Sequence, residues 1–306
     1  MRIKGTLEMK HTVSALALCA AFIGGPALAA DLPYRKAAPP APYYEPAPIA
    51  TWTGLYVGVN AGGAFGGSSS ANTSAYDLYD LPGTAAGAAF ATSANSTAAL
   101  SNSSFIGGGQ IGYNWQFNNS FVVGLEADFQ GVDGSANAAS GGVGFDPLSG
   151  ATPITTTQVQ KSLDYLGTVR GRLGFLVTPT LLVYATGGLA YGGANVNTSF
   201  SSVDAASVFA PGFGSGSVSS TQVGYTVGGG LEWMFAHNWS AKLEYLYYDL
   251  GTVTTAGTSL SGANGAGAMQ WAYAPATSAR FDGHIVRAGL NYHFNWAAPA
   301  PVVAKY

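Results

Sequence analysis

The sequence predicts an all-β fold, an eight-stranded antiparallel transmembrane β-barrel with four long extracellular loops and short periplasmic turns. Three observations carry that reading. Hydrophobicity repeats with a period of two in eight separate segments, which is the spacing of strands and not of helices. The connections between those segments alternate strictly between long and tight. Charged residues in the central stretches share one parity, while aromatic and aliphatic residues hold the other. Composition agrees, because 43 Gly with 17 Tyr, 15 Phe and 6 Trp among 306 residues suit strands and turns. A chain that is 47% hydrophobic and 9% charged is not intrinsically disordered. Its net charge of -3 offers phosphate backbones no attraction, which excludes nucleic acid as a natural partner.

Residues 1–30 read as a cleaved secretory signal peptide. From Met9 a basic start is followed by an apolar run from Val13 to Ile23 and the small-residue ending Ala27-Leu28-Ala29. Either Met1 or Met9 serves as the start. The apolar run is too short to span a bilayer as a helix and ends in Gly24-Gly25-Pro26. The single cysteine, Cys19, lies inside this leader, so the exported chain has no thiol for disulfides, catalysis or metal binding. Loss of Arg2, Lys4, Lys10 and Glu8 with the leader takes the net charge from -3 to -5. Residues 31–50, rich in Pro, read as an extended periplasmic linker. The barrel is assigned to residues 51–296 and a C-terminal extension to residues 297–306.

The first predicted strand covers residues 53–65 and the second 103–117, with Ile111, Tyr113 and Trp115 on its apolar parity. The third, 121–130, alternates most clearly: Phe121, Val123, Leu125, Ala127 and Phe129 oppose Gly124, Glu126, Asp128 and Gln130. In the fourth, 163–175, Leu163, Tyr165, Val169, Leu173 and Phe175 oppose Asp164, Thr168, Arg170 and Arg172. The fifth covers 181–195. The sixth, 223–235, sets Val223, Tyr225, Val227, Leu231, Trp233 and Phe235 against Thr226, Gly228, Gly230 and Glu232. The seventh, 239–252, carries Leu243, Tyr245 and Tyr247, and the eighth, 281–294, carries Val286, Leu290, Tyr292 and Phe294. Links at 118–120, 177–180 and 236–238 are tight, whereas those around 66–102, 133–160, 196–220 and 253–280 are long. An even number of antiparallel strands with every long link at one end is the topology of a bacterial outer-membrane barrel.

A soluble barrel also alternates, but it buries its apolar parity and shows its charges to water. Long Ser- and Asn-rich links and aromatic residues at both strand ends favour lipid on the apolar side. Trp115, Phe117, Phe121, Phe235, Trp239 and Phe294 would mark the periplasmic belt, and Phe129, Tyr165, Tyr191 and Tyr247 the outer one. Glu126, Asp128, Arg170, Arg172, Glu232, Lys242, Glu244 and Arg287 then point into the lumen, four acidic and four basic, and can pair there as a structural charge network. Gly108, Gly112, Gly124, Gly174, Gly224, Gly228 and Gly230 share the inward parity and relieve crowding in an interior that eight strands nearly fill. No wide pore is expected.

Enzyme chemistry finds little to work with. His11 is in the leader, while His237 and His293 lie near the tight-turn end. Only His284, beside Asp282, sits where a loop serine could join it, and no nucleophile motif is present. Scattered histidines and acidic loop residues Asp77, Asp80, Asp133, Asp146 and Asp204 make no metal-ligand pattern. Gly107-Gly108-Gly109 and Gly228-Gly229-Gly230 lie inside strand patterns, not before helices, so they are barrel glycines and not phosphate cradles. The expectation is a non-enzyme without cofactor or metal.

In the last strand, Arg287, Gly289, Tyr292 and Phe294 are spaced like the C-terminal β-signal read by the barrel assembly machinery. In the usual pattern the final aromatic ends the chain, whereas here NWAAPAPVVAKY follows. Together with Ala30-Asp31-Leu32-Pro33, the opening Trp52-Thr53-Gly54-Leu55-Tyr56-Val57-Gly58 and the closing segment from Val286 to Phe294, these residues make the chain resemble the alphaproteobacterial small outer-membrane β-barrels of the porin-family and outer-membrane immunogenic type. The resemblance spans residues 1–294. It implies an outer-membrane location, contact with membrane lipid, periplasmic chaperones and the assembly machinery as partners, and a surface-exposed role in the envelope. Some relatives are described as hemin binders or surface antigens, but no matching ligand motif stands in this sequence. The expected function is structural or interactive, as a surface antigen or in envelope integrity. Small-solute passage and loop-mediated binding of hemin or a host ligand are the alternatives.

Overall fold

The computed structural model describes residues 51–101 and 103–294. The signal-peptide, linker and C-terminal-extension expectations fall outside the described residues. In chain order the elements are β1 (Gly54–Phe65), β2 (Ser70–Asp80), α1 (Ala86–Ala94), β3 (Ser96–Ala99), β4 (Ser103–Phe117), β5 (Phe121–Asp133), β6 (Ser135–Val143), β7 (Pro153–Thr178), β8 (Leu181–Asp204), β9 (Gly212–Ala236), β10 (Trp239–Ala256), β11 (Leu260–Ala263) and β12 (Met269–Phe294). Eight of them pair antiparallel in the order β1-β4-β5-β7-β8-β9-β10-β12. The ring closes where β12 pairs back onto β1, from Leu55 opposite Phe294 to Phe65 opposite His284. No strand edge is left open in that ring, which satisfies the backbone without water.

The tight links have local causes. Phe117 pairs with Phe121 across a three-residue turn in which Asn118 and Asn119 adopt φ of 48° and 56°. Asparagine tolerates this left-handed region better than other non-glycine residues. Pro179-Thr180 joins β7 to β8, and His237-Asn238 joins β9 to β10.

Burial on the ring is inverted relative to a water-soluble sheet. Leu125 is 68% exposed and Leu173 66%, while the adjacent Glu126 and Arg172 are 1% and 2% exposed. Inside, an apolar layer of Trp52, Val122, Leu176, Leu182, Tyr184 and Met234 lies toward the tight turns. The Trp52 indole donates to the Pro179 carbonyl at 3.0 Å, and its backbone N–H donates to Gln116 Oε1 at 3.0 Å. A second apolar layer, including Ile106, Leu166, Leu246, Phe281 and Ile285, lies toward the other end.

Four connections expected as long loops contain much regular structure. β7 already begins at Pro153, β8 runs to Asp204, β9 starts at Gly212 and β12 at Met269. Hydrogen bonding continues there, with Ile154 opposite Val203 and Ser202 opposite Gly212. β6 pairs with the distal half of β7, while β2 and β11 flank the distal half of β12. Where β1, β4 and β5 stop, β2, β3 and β6 occupy corresponding places, and Ser96 Oγ meets Ser140 Oγ at 2.9 Å between β3 and β6. The predicted boundaries fell short for a physical reason. In distal β7, Thr155 and Thr157 are buried and Thr156 and Gln158 exposed, so burial still alternates while hydrophobicity does not. α1 fills this distal region, with Phe90 stacked on Trp271 at 3.8 Å between centroids amid Phe200, Phe209, Leu260 and Tyr273.

Candidate functional site: a buried ionic belt

Strand register brings the inward charges together between the two apolar layers. Glu126 pairs across the ladder with Arg170, Lys242 with Glu232, and Glu244 with Arg287. Their side chains then connect further. Arg170 contacts Glu126, Asp128 at 2.9 Å and Glu244 at 2.9 Å. Arg287 reaches Asp128 at 2.7 Å and Glu244 at 2.5 Å. Lys242 Nζ donates to both oxygens of Glu126, at 2.9 and 3.0 Å. Arg172 contacts Glu232 at 2.6 Å and lies 3.9 Å from the Tyr184 ring centroid.

Two tyrosines complete the belt. Arg172 donates to the Tyr56 hydroxyl at 2.7 Å, and Tyr56 donates to Glu126 Oε2 at 2.7 Å. Tyr184 donates to Glu244 at 3.0 Å. Gly112 and Gly230 make room for these rings, because a Cβ at either would stand within 3 Å of Tyr56 or Tyr184. Periodicity offered one signal for Tyr56, which sits on the opposite parity to Leu55 and Val57 yet is bulky.

At the tight-turn end of the belt, Ser240 donates to Glu232 at 2.6 Å and meets His293 Nε2 at 2.8 Å, while Asn291 donates to Glu232 at 2.7 Å. Serine, histidine and glutamate thus converge, but Ser240 and Glu232 both approach Nε2, with Glu232 at 3.5 Å. A nucleophilic relay needs its acid on the other ring nitrogen and a path for substrate. Here Ser240, Glu232 and Asn291 are fully buried and Trp52 stands edge-on to His293 at 5.7 Å. The arrangement is a packing network that sequence spacing did not reveal.

Other candidates fall elsewhere. His284 lies on the outer face, where its Nδ1 meets the Tyr245 hydroxyl at 2.7 Å and its ring packs on Phe65 and Tyr247. Asp282 accepts the Ser68 N–H at 2.8 Å. Of the β-signal residues, Arg287 is in the belt and Gly289 lies beside the Lys242 stem. Tyr292 packs against Trp239 and Phe294 at 5.2 and 5.0 Å. Acidic residues of the connections organise backbone: Asp80 accepts from Gly87 at the start of α1, and Asp204 accepts from Thr152, Ala206, Val208 and Phe209. Burial pushes the Asp146 carboxyl up, but the Ser149 hydroxyl and the N–H groups of Leu148 and Ala85 hold it below the ordinary aspartate value. Among the described residues, no group of three or more His, Cys, Asp or Glu is placed to hold a metal ion.

A closed antiparallel ring with charges sealed inside and aliphatic and aromatic side chains outside defines a membrane-embedded β-barrel class. The comparisons agree. The model of the outer membrane protein beta-barrel domain family matches residues 15–294, and the chain belongs to that family. It is 36% identical over 281 residues to the 31 kDa outer-membrane immunogenic protein of Brucella melitensis biotype 1, covering 91% of this chain and 98% of that protein. The protein of the same description from Brucella suis biovar 1 matches equally. A 22 kDa outer membrane protein of Rhizobium leguminosarum bv. viciae is 35% identical over 144 residues, 46% of this chain and 52% of that one. The chain is an outer-membrane protein.

Proposed function

We propose that this protein is a non-enzymatic structural and interaction element of the outer membrane, a sealed barrel that displays a rigid antigenic surface and supports the envelope. The inverted burial carries the reading: aliphatic and aromatic side chains face outward around the ring while eight balanced charges are sealed within. Apolar layers on both sides of the belt support the absence of a wide aqueous path. The immunogenic description of the Brucella relatives supports surface display. In this reading the tight turns face the periplasm and the β2, α1, β3, β6 and β11 regions face outward. Arg287, Gly289, Tyr292 and Phe294 serve as the assembly signal on the last strand.

Planar-bilayer recordings test the sealed lumen. Small or rare conductance steps are expected, and large stable porin-sized steps would overturn it. Orientation is tested with single cysteines, since Cys19 is the chain's one native cysteine. On intact cells, Ala206→Cys should react with an impermeant maleimide and Asn119→Cys should not. The reverse labelling would refute the topology.

A further inference from the structure

Every belt cation has carboxylate partners, and Arg280 pairs with Asp249. Lys161, on distal β7, differs. It is 6% exposed, yet no carboxylate lies within ion-pair distance among the described residues. Its ammonium donates to the Arg280 carbonyl across the lumen and stands 4.6 Å from the Phe281 ring centroid. An ammonium has three donors, and burying a cation costs several kcal/mol unless its charge and its hydrogen bonds are matched. One carbonyl and one ring face are a thin match.

Lys161 also lines a cavity of about 400 Å³ whose other walls are residues 66–69 and 99–101. These segments lie where β1 gives way to β2 and β3 to β4, so the cavity sits at a break in the ladder. Gly66 and Gly67, at φ of +69° and +91°, turn the chain there, and the walls include Ser68, Ser69 and Ser101. Asp282 is the carboxylate at this junction, and one of its oxygens already accepts the Ser68 N–H. Phe65, immediately before Gly66, is an outward aromatic stacked on His284. The cavity therefore stands at the upper margin of the apolar band, the depth of lipid headgroups.

We propose that this cavity is an oxyanion site in which a phosphate group, carried by a lipid headgroup or free in solution, takes the remaining donors of Lys161. Serine hydroxyls of the walls supply further donors, and the neighbouring Asp282 favours a singly charged or hydrogen-bonded phosphate oxygen. The site is separate from the ionic belt and does not depend on the role proposed for the barrel.

Titration of detergent-solubilised protein with inorganic phosphate, followed by ³¹P line broadening, tests the free-anion arm. Nanodiscs with and without lipid A, compared by thermal unfolding, test the headgroup arm. Lys161→Met should weaken binding about tenfold or more, and Lys161→Arg should retain it. Heat-modifiable gel mobility shows whether each variant has folded. Reductive methylation of the wild-type chain gives a readout that needs no variant. Lys161 should be methylated in buffer and protected by phosphate or by lipid A, whichever is the ligand. Lack of protection by both, no methylation of Lys161 at all, or binding unchanged in a folded Lys161→Met chain would each overturn the proposal.

Discussion

Arg170 touches three carboxylates from two other strands, Glu126 and Asp128 on β5 and Glu244 on β10, so its removal strands negative charge in a dry interior. Breaking a buried ionic network from one side typically costs about 3–5 kcal/mol, far more than an exposed pair. Arg170→Met should therefore lower stability by about that amount in urea unfolding from lipid vesicles. Asp146 gives the opposite sort of prediction, local and dependent on pH. Its carboxyl is held below the ordinary aspartate value, so its contribution is complete above the unfolded value of about 4 and is lost as pH falls through the lower folded one. Proteolysis of the 144–152 connection should accelerate across that acid window, and Asp146→Asn should remove the acid-dependent part. The eight belt residues could be picked out in sequence because parity separates charge from hydrocarbon. Tyr56 had only its inward parity to mark it, and Tyr184, Ser240 and His293 could not be picked out, since aromatic and small polar residues occur on both faces and only the register reveals their partners.

α1 has nine residues and no side-chain hydrogen bond from its N-cap Ala85, so it is too short to persist alone. It is held by packing and by Asp80, whose carboxylate accepts from the N–H groups of Gly87 and Ala88. Phe90→Ala removes the ring stacked on Trp271 and should cost this distal cap about 3–5 kcal/mol. Limited proteolysis should then cut within residues 81–100 while the folded ring keeps its heat-modifiable mobility. Neither α1 nor the distal halves of β7, β8 and β9 were legible in the sequence. In 212–222 serine, glycine and threonine dominate both faces, so a strand there leaves no hydrophobic alternation to read. The membrane-level halves were legible because lipid outside and charge inside give each strand strong contrast.

For the molecule as a whole, the band of outward hydrocarbon sets where a charge is tolerated. Leu125 lies in that band and Ser199 on the exposed distal face of β8. Leu125→Arg should weaken folding into lipid vesicles by about 2–4 kcal/mol, whereas Ser199→Arg should change it by less than about 0.5. Equal penalties would contradict the placement of the band. The ring and its inversion followed from strand count, parity and alternating link lengths, all properties that a bilayer imposes on any single crossing. What lies beyond the bilayer obeys no such rule, and there only tertiary contacts decide whether polar chain forms strands.

Because Leu55 stands beside Phe294 in the closing ladder, the point at which the polypeptide is cut is chemically incidental to the cylinder. A circularly permuted chain that joins residue 294 to residue 51, keeping Trp52, through about four to six Gly and Ser residues, and opens within 205–211, should still refold in detergent micelles, where no assembly signal is read, and migrate as a compact species before boiling. Its new seam would be β8 against β9, whose ladder runs unbroken from Leu181 opposite Trp233 to Ser202 opposite Gly212 and is longer than the natural one.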